Sequence, residues 1–364
     1  MKRNVLVVGA GPVGLAGALE LSRLGHSVRV VEKRGERSSQ SKAIGINSRT
    51  LELLEGAGVT SRLLEAGVRL AGLRFGTPTR TEFAIEFAWL RHRYPFMIGL
   101  PQSDTEAILE ACLAERGVRV DRHVELVGLR RRGDGAVADL HGRMGRSESV
   151  AADFVLGADG AHSTVRRLVG IDFPGYALPG KWSLADAELS TDLNPGYAHV
   201  TRLKGRLVFM ISFRPGVWRV ASDHADVLAH LPPPAKVSSV MWESDFTVSF
   251  RQASRYQVGP IGLCGDAAHV HSPLGARGMN MGIEDAVLLA RALSSGRLRV
   301  FGEARHRATM SAIRMVKAQT WLATHDQPIP RFLRSRVMPV LTGIPFIRSQ
   351  MVARMAGLGY DARG

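Results

Sequence analysis

The chain has 364 residues, enough to bury a large core in two or three domains or in one unit split by insertions. Its 45% hydrophobic and 22% charged residues are typical of a globular protein. The two cysteines, Cys112 and Cys264, exclude a disulfide framework or a thiolate metal cluster, and we expect both to be buried apolar groups. The net charge of +15 comes mostly from scattered arginines, which argues against nucleic-acid binding.

The N-terminal half begins with the pattern of a βαβ unit. Apolar periodicity predicts a strand at Asn4–Val8, a helix over 12–24 and a strand over 27–31. Ser103 is predicted to cap a helix over 104–115, with Glu106 at the capping-box position. The other elements predicted in this half are a helix over about 48–56, sheet alternation over 69–87, a strand over 96–100, antiparallel strands over 119–152 with a turn at 133–135, a strand over 153–157 and a helix over 162–169.

The second half begins with an insertion over 176–250, in which apolar and polar residues alternate as in an antiparallel sheet. A strand over 261–264 and a helix over 278–294 follow. The remainder is predicted to be helical and basic, with breaks at Pro328, Pro330, Pro339 and Pro345. No apolar run is long enough to span a bilayer, and we expect a cytoplasmic protein whose basic C-terminal helices cover their own domain rather than a membrane.

The motif Gly9-Ala10-Gly11-Pro12-Val13-Gly14 lies between the first strand and the first helix, the context of a dinucleotide-binding turn. Gly9 permits the tight turn, Gly11 lets a diphosphate approach the helix N-terminus, and Gly14 lets helix and strand pack closely. Glu32, followed by Lys33, ends the second strand, where a carboxylate can accept hydrogen bonds from the adenosine ribose. An acidic residue there disfavours a 2′-phosphate, so this loop fits FAD or NAD.

Two later segments accompany this motif and decide between the two ligands. One is Gly157-Ala158-Asp159-Gly160-Ala161-His162-Ser163, followed by Arg166, and the other is Gly265-Asp266-Ala267-Ala268-His269, followed by Pro273, Gly278 and Asn280. In this combination the chain resembles the single-component flavoprotein monooxygenases of the para-hydroxybenzoate hydroxylase type. The match extends over nearly the whole chain, although the insertion is matched only in outline.

The resemblance implies an α/β fold, with a Rossmann-like FAD-binding domain, an inserted, mostly antiparallel β-sheet substrate domain and a C-terminal helical segment. We expect the discontinuous FAD domain at 1–70, 101–175 and 259–300, the substrate domain at 71–100 and 176–258, and the helical region at 301–364. The substrate pocket is expected between the flavin and the inserted sheet, lined by residues from 94–98, 182–188 and 207–213.

The resemblance also implies the residues that bind the cofactor. They are Gly9, Gly11, Pro12, Val13, Gly14, Glu32, Lys33, Lys42, Gln102, Asp159, Gly160, Arg166, Gly265, Asp266, Pro273, Gly278, Met279 and Asn280. Lys42 stands where the family usually has arginine, which weakens a phosphate contact there. The loop with Pro273, Gly275, Arg277 and Gly278 is expected at the flavin edge. Arg277 departs from the family's glutamine and either adds positive charge near the flavin or faces solvent.

The activity implied is hydroxylation of an aromatic, phenolic or polyketide-like compound, with NAD(P)H and O2 as co-substrates and a flavin C4a-hydroperoxide as the oxygen donor. No catalytic base can be named, because the flavin performs the bond making. The histidines lack partners at metal-ligand spacing, so no metal is expected. Baeyer–Villiger or epoxidation chemistry, a halogenase, a prenyl reductase and a non-catalytic flavin module stay open as alternatives, as does a monomer or a homodimer.

Overall fold

The computed structural model describes residues 2–37, 43–203, 205–274 and 276–359, apart from the side chain of Met144. The strands, numbered in chain order, are β1 (Asn4–Val8), β2 (Ser27–Glu32), β3 (Gly45–Ile46), β4 (Val68–Leu70), β5 (Gly72–Thr77), β6 (Arg80–Glu86), β7 (Met97–Gly99), β8 (Val120–Arg122), β9 (Glu125–Arg132), β10 (Gly135–His141), β11 (Ser147–Ala152), β12 (Phe154–Gly157), β13 (Gly175–Ala177), β14 (Trp182–Ser190), β15 (Tyr197–Leu203), β16 (Arg206–Arg214), β17 (Val217–Ser222), β18 (Lys236–Phe246), β19 (Ser249–Gln252), β20 (Gln257–Val258), β21 (Ile261–Leu263) and β22 (His269–Val270).

The helices are α1 (Pro12–Arg23), α2 (Ser48–Glu55), α3 (Val59–Ala66), α4 (Gln102–Glu115), α5 (Thr164–Leu168), α6 (Gly278–Ser295), α7 (Leu298–Thr324), α8 (Pro328–Phe332), α9 (Met338–Gly343) and α10 (Pro345–Met355). Among the described residues, no helix is both long enough and apolar enough to cross a membrane. The helical stretch is interrupted just before Pro328 and Pro345, as predicted, and these two prolines begin α8 and α10. The breaks predicted at Pro330 and Pro339 are wrong, because both residues lie in the first turn of a helix, α8 and α9. Proline is tolerated in a first helical turn because its missing N–H needs no partner there.

A six-stranded sheet has the order β20-β21-β12-β1-β2-β8 and is parallel except for β20. Both of its faces are buried, which explains the continuous apolar run of β1. Val5 and Val7 pack with α1 and α6 on one face, and Leu6 and Val8 pack against strands β9 to β11 on the other. The strands predicted at 4–8 and 27–31 and the helix between them are confirmed.

A seven-stranded sheet has the order β18-β14-β17-β16-β15-β5-β6 and is antiparallel except for the β15–β5 pair. Its side chains alternate between two layers. Ala185 and Met210 pack beneath the sheet with Val227, whereas Ile211 packs above it in a cluster that contains Ile44. The upper face therefore points toward the short sheet β3-β7-β4 and the N-terminal end of α6.

The predicted cap of the fourth helix is wrong. α4 begins at Gln102, its N-cap is Pro101, and no side chain caps it. The Ser103 hydroxyl instead lies 3.5 Å from a carboxylate oxygen of Asp104, and Glu106 accepts a hydrogen bond from the Gln102 side chain. The helix begins earlier because the Gln102 N–H donates to the Ala43 carbonyl, a partner that no local pattern indicates. Both cysteines are buried, as predicted. The domain limits stay a prediction.

Candidate functional site

Neighbouring strands of the six-stranded sheet bring the three glycine motifs to one edge. β1 precedes Gly9, β12 precedes Asp159, β21 precedes Gly265, and β2 ends at Glu32. β2 and β12 both pair with β1 in parallel, on opposite sides, and β21 pairs in parallel with β12. The carboxyl ends of these strands therefore meet where the strand order reverses, the position at which open α/β sheets bind ligands.

The first glycine loop leaves space at one of its three glycines. Gly9 has a φ of +103°, and a Cβ there would lie 2.4 Å from the carbonyl oxygen of Ala158. A Cβ on Gly14 would lie 1.9 Å from the carbonyl oxygen of Gly9. A Cβ on Gly11, by contrast, would meet no described atom within 4 Å. Gly11 immediately precedes Pro12 of α1, so this space lies at a helix N-terminus, where an anion is favoured.

Glu32 holds the glycine loop from the neighbouring strand. Its side chain is 7% exposed, and its carboxylate accepts hydrogen bonds from the backbone N–H of Ala10 at 2.9 Å and of Arg34 at 3.0 Å. Burial acts to raise the pKa of Glu32, but these hydrogen bonds outweigh burial and the pKa is lowered overall. The carboxylate therefore stays ionised beside the loop. Lys33 is exposed. The ribose contact of Glu32 and the cofactor contact of Lys33 stay predictions.

The second motif is organised by Asp159. Its carboxylate accepts hydrogen bonds from the Ser163 hydroxyl at 2.6 Å and from the backbone N–H groups of Thr164 at 2.7 Å and Val165 at 3.0 Å. Asp159 thus satisfies the free N–H groups at the start of α5. Gly160, with a φ of +81°, forms the turn that follows. A contact of Asp159 or Gly160 with the cofactor stays a prediction.

Arg166 joins the second motif to the third. Its guanidinium donates to the carbonyl oxygens of Ala161 and Ala267, each at 2.9 Å, and lies 3.9 Å from the ring centre of Phe173. Burial lowers the pKa of this guanidinium, which nevertheless stays charged at neutral pH. The structure therefore gives Arg166 a positioning role between two loops, and its predicted contact with the cofactor stays a prediction.

The third motif rests on a fully enclosed carboxylate. Asp285 of α6 is 0% exposed and accepts from the backbone N–H of Gly265 at 3.2 Å, while its Oδ2 lies 2.7 Å from His269 Nε2. Its other oxygen accepts two hydrogen bonds from the Arg305 guanidinium, at 2.9 and 2.7 Å. Burial acts to raise the pKa of Asp285, but Arg305 and His269 outweigh it and the pKa is lowered. Asp266, within the loop that Asp285 holds, is exposed.

Close packing against the first glycine loop explains why residue 265 is a glycine. Gly265 has a φ of +62°, and a Cβ there would lie 2.8 Å from the Val13 side chain. Val13 belongs to the first glycine loop and α1, so the first and third motifs are in direct contact. Gly265 is therefore required by close approach as well as by its backbone conformation.

Asn280 anchors the loop predicted at the flavin edge. Its side-chain oxygen accepts from the Asn47 N–H at 3.0 Å and the Thr50 hydroxyl at 2.7 Å, and its amide nitrogen donates to the carbonyls of Gly45 at 2.7 Å and Ala276 at 2.6 Å. All four hydrogen-bonding positions of the amide are used. Asn280 thus fixes this loop to the segment 43–50.

The other residues of that loop have mixed surroundings. Pro273 is exposed, Gly278 begins α6, and Met279 is buried. Arg277 is 2% exposed and donates to the backbone carbonyl of Arg354 in α10, so the alternative of a solvent-facing arginine is wrong. The C-terminal helices cover it. Its charge near the flavin stays a prediction, and the predicted site residues Lys42 and Gly275 lie outside the described residues.

Gln102 contacts the same short segment from the opposite direction. Its backbone N–H donates to the Ala43 carbonyl at 3.0 Å, and its side-chain oxygen lies 3.4 Å from the Ala43 N–H. Its predicted flavin contact stays a prediction. Arg219 of β17 also donates to the Ala43 carbonyl, at 3.2 Å. The segment that begins at Ala43 is therefore contacted by α4, by Asn280 and by the seven-stranded sheet.

Sequence reasoning missed the enclosed partners of these loops. Asp285 and Arg305 lie on different helices, and neither belongs to a glycine motif. One signal was present: the adjacent carboxylates Glu284 and Asp285 interrupt a largely apolar stretch of α6. Buried charges of this kind require a partner, so the pair could have indicated a buried arginine.

The residues at this edge of the six-stranded sheet fit FAD as a ligand. An elongated dinucleotide requires room at a helix N-terminus, which Gly11 provides, and an acidic group beyond it, which Glu32 provides. The loops after β12 and β21 extend the same edge, and Arg166 joins them. Among the described residues, no group of three metal-ligating side chains accompanies it.

Comparison with known proteins decides the family. Residues 2–215 and 217–308 match the family model described as FAD binding domain. The chain belongs to this family. It is 31% identical over 390 residues to rifampicin monooxygenase of Streptomyces venezuelae, covering 98% of this chain and 79% of that protein. It is 34% identical over 375 residues to 6-methylpretetramide 4-monooxygenase of Streptomyces rimosus, covering 95% of this chain and 66% of that protein.

A solved structure confirms the fold of this FAD-binding family member. Para-nitrophenol 4-monooxygenase of Pseudomonas putida DLL-E4 superimposes with a TM-score of 0.88 at 21% identity, covering 99% of both chains. The predicted α/β class with an inserted sheet and C-terminal helices is therefore confirmed. The family model confirms FAD as the cofactor. Together with the relatives above, these findings make the protein an FAD-dependent monooxygenase.

Proposed function

We propose that the protein transfers one oxygen atom from O2 to an aromatic, phenolic or polyketide-like small molecule, with NAD(P)H as the electron donor. The observation that carries this proposal is the meeting of three loops at one sheet edge, with open space at Gly11 and a sheet face opposite the loop that Asn280 anchors. The names of two similar proteins support the substrate class: one is a 6-methylpretetramide 4-monooxygenase and the other a para-nitrophenol 4-monooxygenase.

Each part of the edge would have its own task. The N-terminus of α1 at Gly11 would bind the diphosphate, and Glu32 would accept from the ribose hydroxyls. Asp266 would contact the sugar-alcohol chain, and the loop from Pro273 to Asn280 would present a helix N-terminus to the pyrimidine edge of the ring. When bound, FAD would supply electron transfer from NAD(P)H and activation of O2 at its C4a position.

The protein's own contribution to the oxygen transfer would be orientation and exclusion of water. The upper face of the seven-stranded sheet is apolar around Ile211 and Phe213, and it packs toward Ile44 and Met97. A substrate between this face and the flavin edge would be held in a dry environment, where electrostatic interactions are stronger than in water.

The test is oxidation of NADH and NADPH by the purified yellow protein, with and without phenols and hydroxyquinones, under ¹⁸O2. We expect one aromatic compound to accelerate oxidation and to acquire one ¹⁸O atom as a hydroxyl group. A lactone product would indicate Baeyer–Villiger chemistry instead of hydroxylation, and an epoxide product would indicate epoxidation. Bound FAD that neither nicotinamide reduces would contradict the proposal and favour a non-catalytic flavin module.

A further inference from the structure

Three side chains form a row across adjacent strands on the upper face of the seven-stranded sheet. Asp186 of β14 lies directly opposite Arg219 of β17 on one side and opposite Trp242 of β18 on the other. Residues opposite one another in an antiparallel pair project from the same face. We call Trp242, Asp186 and Arg219 the polar row, because apolar side chains such as Ile211 and Phe213 lie on the same face.

The polar row contacts the segment that begins at Ala43, which Asn280 joins to the loop predicted at the flavin edge. The Arg219 guanidinium donates to the Ala43 carbonyl at 3.2 Å, and Ala43 begins the segment that Asn280 and Gln102 also hold. Ile211, directly opposite Arg219 on β16, packs in one cluster with Ile44 and Met97. The row therefore belongs to the layer between the sheet and the loops at the sheet edge.

Charge within the row is balanced. Arg219 is 1% exposed, and its guanidinium binds both carboxylate oxygens of Asp186, at 2.7 and 2.6 Å. The guanidinium carbon also lies 5.8 Å from the ring centre of Trp242. A bidentate pair of this kind is neutral overall, so the row offers no net charge to attract an anionic ligand.

Trp242 is half-buried and supplies a donor that none of the described residues uses. Its indole Nε1 is buried and has no hydrogen-bond partner among the described residues. Buried indole N–H groups usually have an acceptor, because leaving one unpaired costs free energy. The donor lies beside a neutral ion pair on the upper face of the sheet, and Arg219 of that pair reaches the Ala43 segment. This setting suits a ligand with an oxygen acceptor and no charge.

We propose that the polar row is the specificity-determining contact for the substrate's oxygen substituent: the Trp242 indole N–H donates to a carbonyl or phenolic oxygen of a neutral aromatic ring. The inference rests on the proposed function, since it names the chemistry recognised by that same site. Arg219 and Asp186 act as positioning residues that hold the Trp242 ring and exclude a charged group.

The test measures binding to the holoenzyme without NAD(P)H, by equilibrium dialysis of naphthalene, 1-naphthol and 1-naphthoate. Wild-type protein should prefer 1-naphthol to both other compounds. Trp242→Phe keeps a ring over Arg219 but removes the N–H, and it should weaken 1-naphthol binding about 3- to 10-fold while leaving naphthalene binding unchanged. Trp218→Phe is the matched control, since Trp218 precedes Arg219 and projects from the opposite face.

The outcomes separate this inference from the proposed function. A wild-type protein that binds the three compounds equally, that binds none of them or that prefers 1-naphthoate overturns the inference. So does a Trp242→Phe variant that retains full 1-naphthol affinity, loses affinity for both neutral compounds equally or loses FAD. Because dialysis requires no turnover, a preference for 1-naphthol that depends on Trp242 stands even if the enzyme assay fails.

Discussion

Two regions of the molecule are held together in different ways. One is the edge of the six-stranded sheet where Gly9, Asp159 and Gly265 meet, called the cofactor edge because FAD is proposed to bind there, and the other is the upper face of the seven-stranded sheet. At the cofactor edge, single enclosed polar groups such as Asp285 and Asn280 each bind several loops. The upper sheet face depends on many alternating apolar contacts, and its ion pair is partly open: the Asp186 side chain is 14% exposed, against 0% for Asp285. The cofactor edge should therefore depend on individual residues, whereas the sheet face should tolerate change.

The largest effect is expected when the enclosed carboxylate is neutralised. Asp285→Asn leaves the Arg305 guanidinium, 2% exposed, with Glu284 at 3.3 Å as its one charged partner among the described residues. We expect the free energy of unfolding to fall by about 3 kcal/mol, measured by urea denaturation. Asp186→Asn is the matched change at the sheet face and should cost clearly less. If Asp285→Asn and Asp186→Asn lose the same unfolding free energy, the two regions do not differ in the way described.

The next largest effect is expected from acid, which should lower the stability of the protein through His271 at the cofactor edge. Burial lowers the pKa of His271 from 6.5 to about 4, and its ring lies 3.9 Å from where a Cβ on Gly278 would be. Below pH 6.5 the unfolded chain binds a proton that the folded protein refuses until about pH 4, so stability falls across that window by up to about 3 kcal/mol.

His271→Leu isolates this contribution from that of the other titrating groups. Its unfolding free energy should fall less steeply than that of the wild type between pH 6.5 and 4, when urea denaturation is repeated at each pH. Parallel pH profiles for the two proteins would show that His271 is protonated as readily in the folded chain as in the unfolded one.

A smaller effect is expected at Asn280. Asn280→Asp places a carboxylate oxygen against the carbonyls of Gly45 and Ala276, so we expect a loss of about 2 kcal/mol in unfolding free energy and weaker FAD binding. Thr50→Val removes one donor to the same side chain and should cost about 1 kcal/mol. If denaturation and flavin titration show a larger loss for Thr50→Val than for Asn280→Asp, Asn280 does not anchor the loop.

The glycine loops of the cofactor edge can be predicted from the sequence, but the residues that hold these loops in place cannot. The strand, glycine turn and helix at the N-terminus are encoded locally, since buried valines and Gly9, Gly11 and Gly14 specify them within a short stretch. Their supports are distant in sequence: Asp285 holds Gly265 from another element, and Ala43 replaces the predicted cap of α4. Arg277 is enclosed because α10 packs over it, which no pattern near residue 277 could indicate.

The polar row shows the same limit at the sheet face. The alternation over 176–250 predicts an antiparallel sheet, and Asp186 lies within a segment predicted to line the pocket. Its two neighbours in the row are set by strand register, and the β14–β18 pairing shifts immediately after Asp186. A register with such irregularities cannot be predicted from alternation, because a slip of one residue would turn Trp242 to the other face.

The most direct test of the FAD site is the flavin content of Gly11→Val. Gly11 has a φ of −75° and a ψ of −179°, which any residue adopts, and a Cβ there meets no described atom within 4 Å, so the variant should fold. Gly343→Val is a control at another open glycine. We expect Gly11→Val to be folded by circular dichroism but colourless, with FAD affinity reduced at least about 100-fold, while the control stays yellow. A folded Gly11→Val protein that retains one FAD per chain would contradict the site described here.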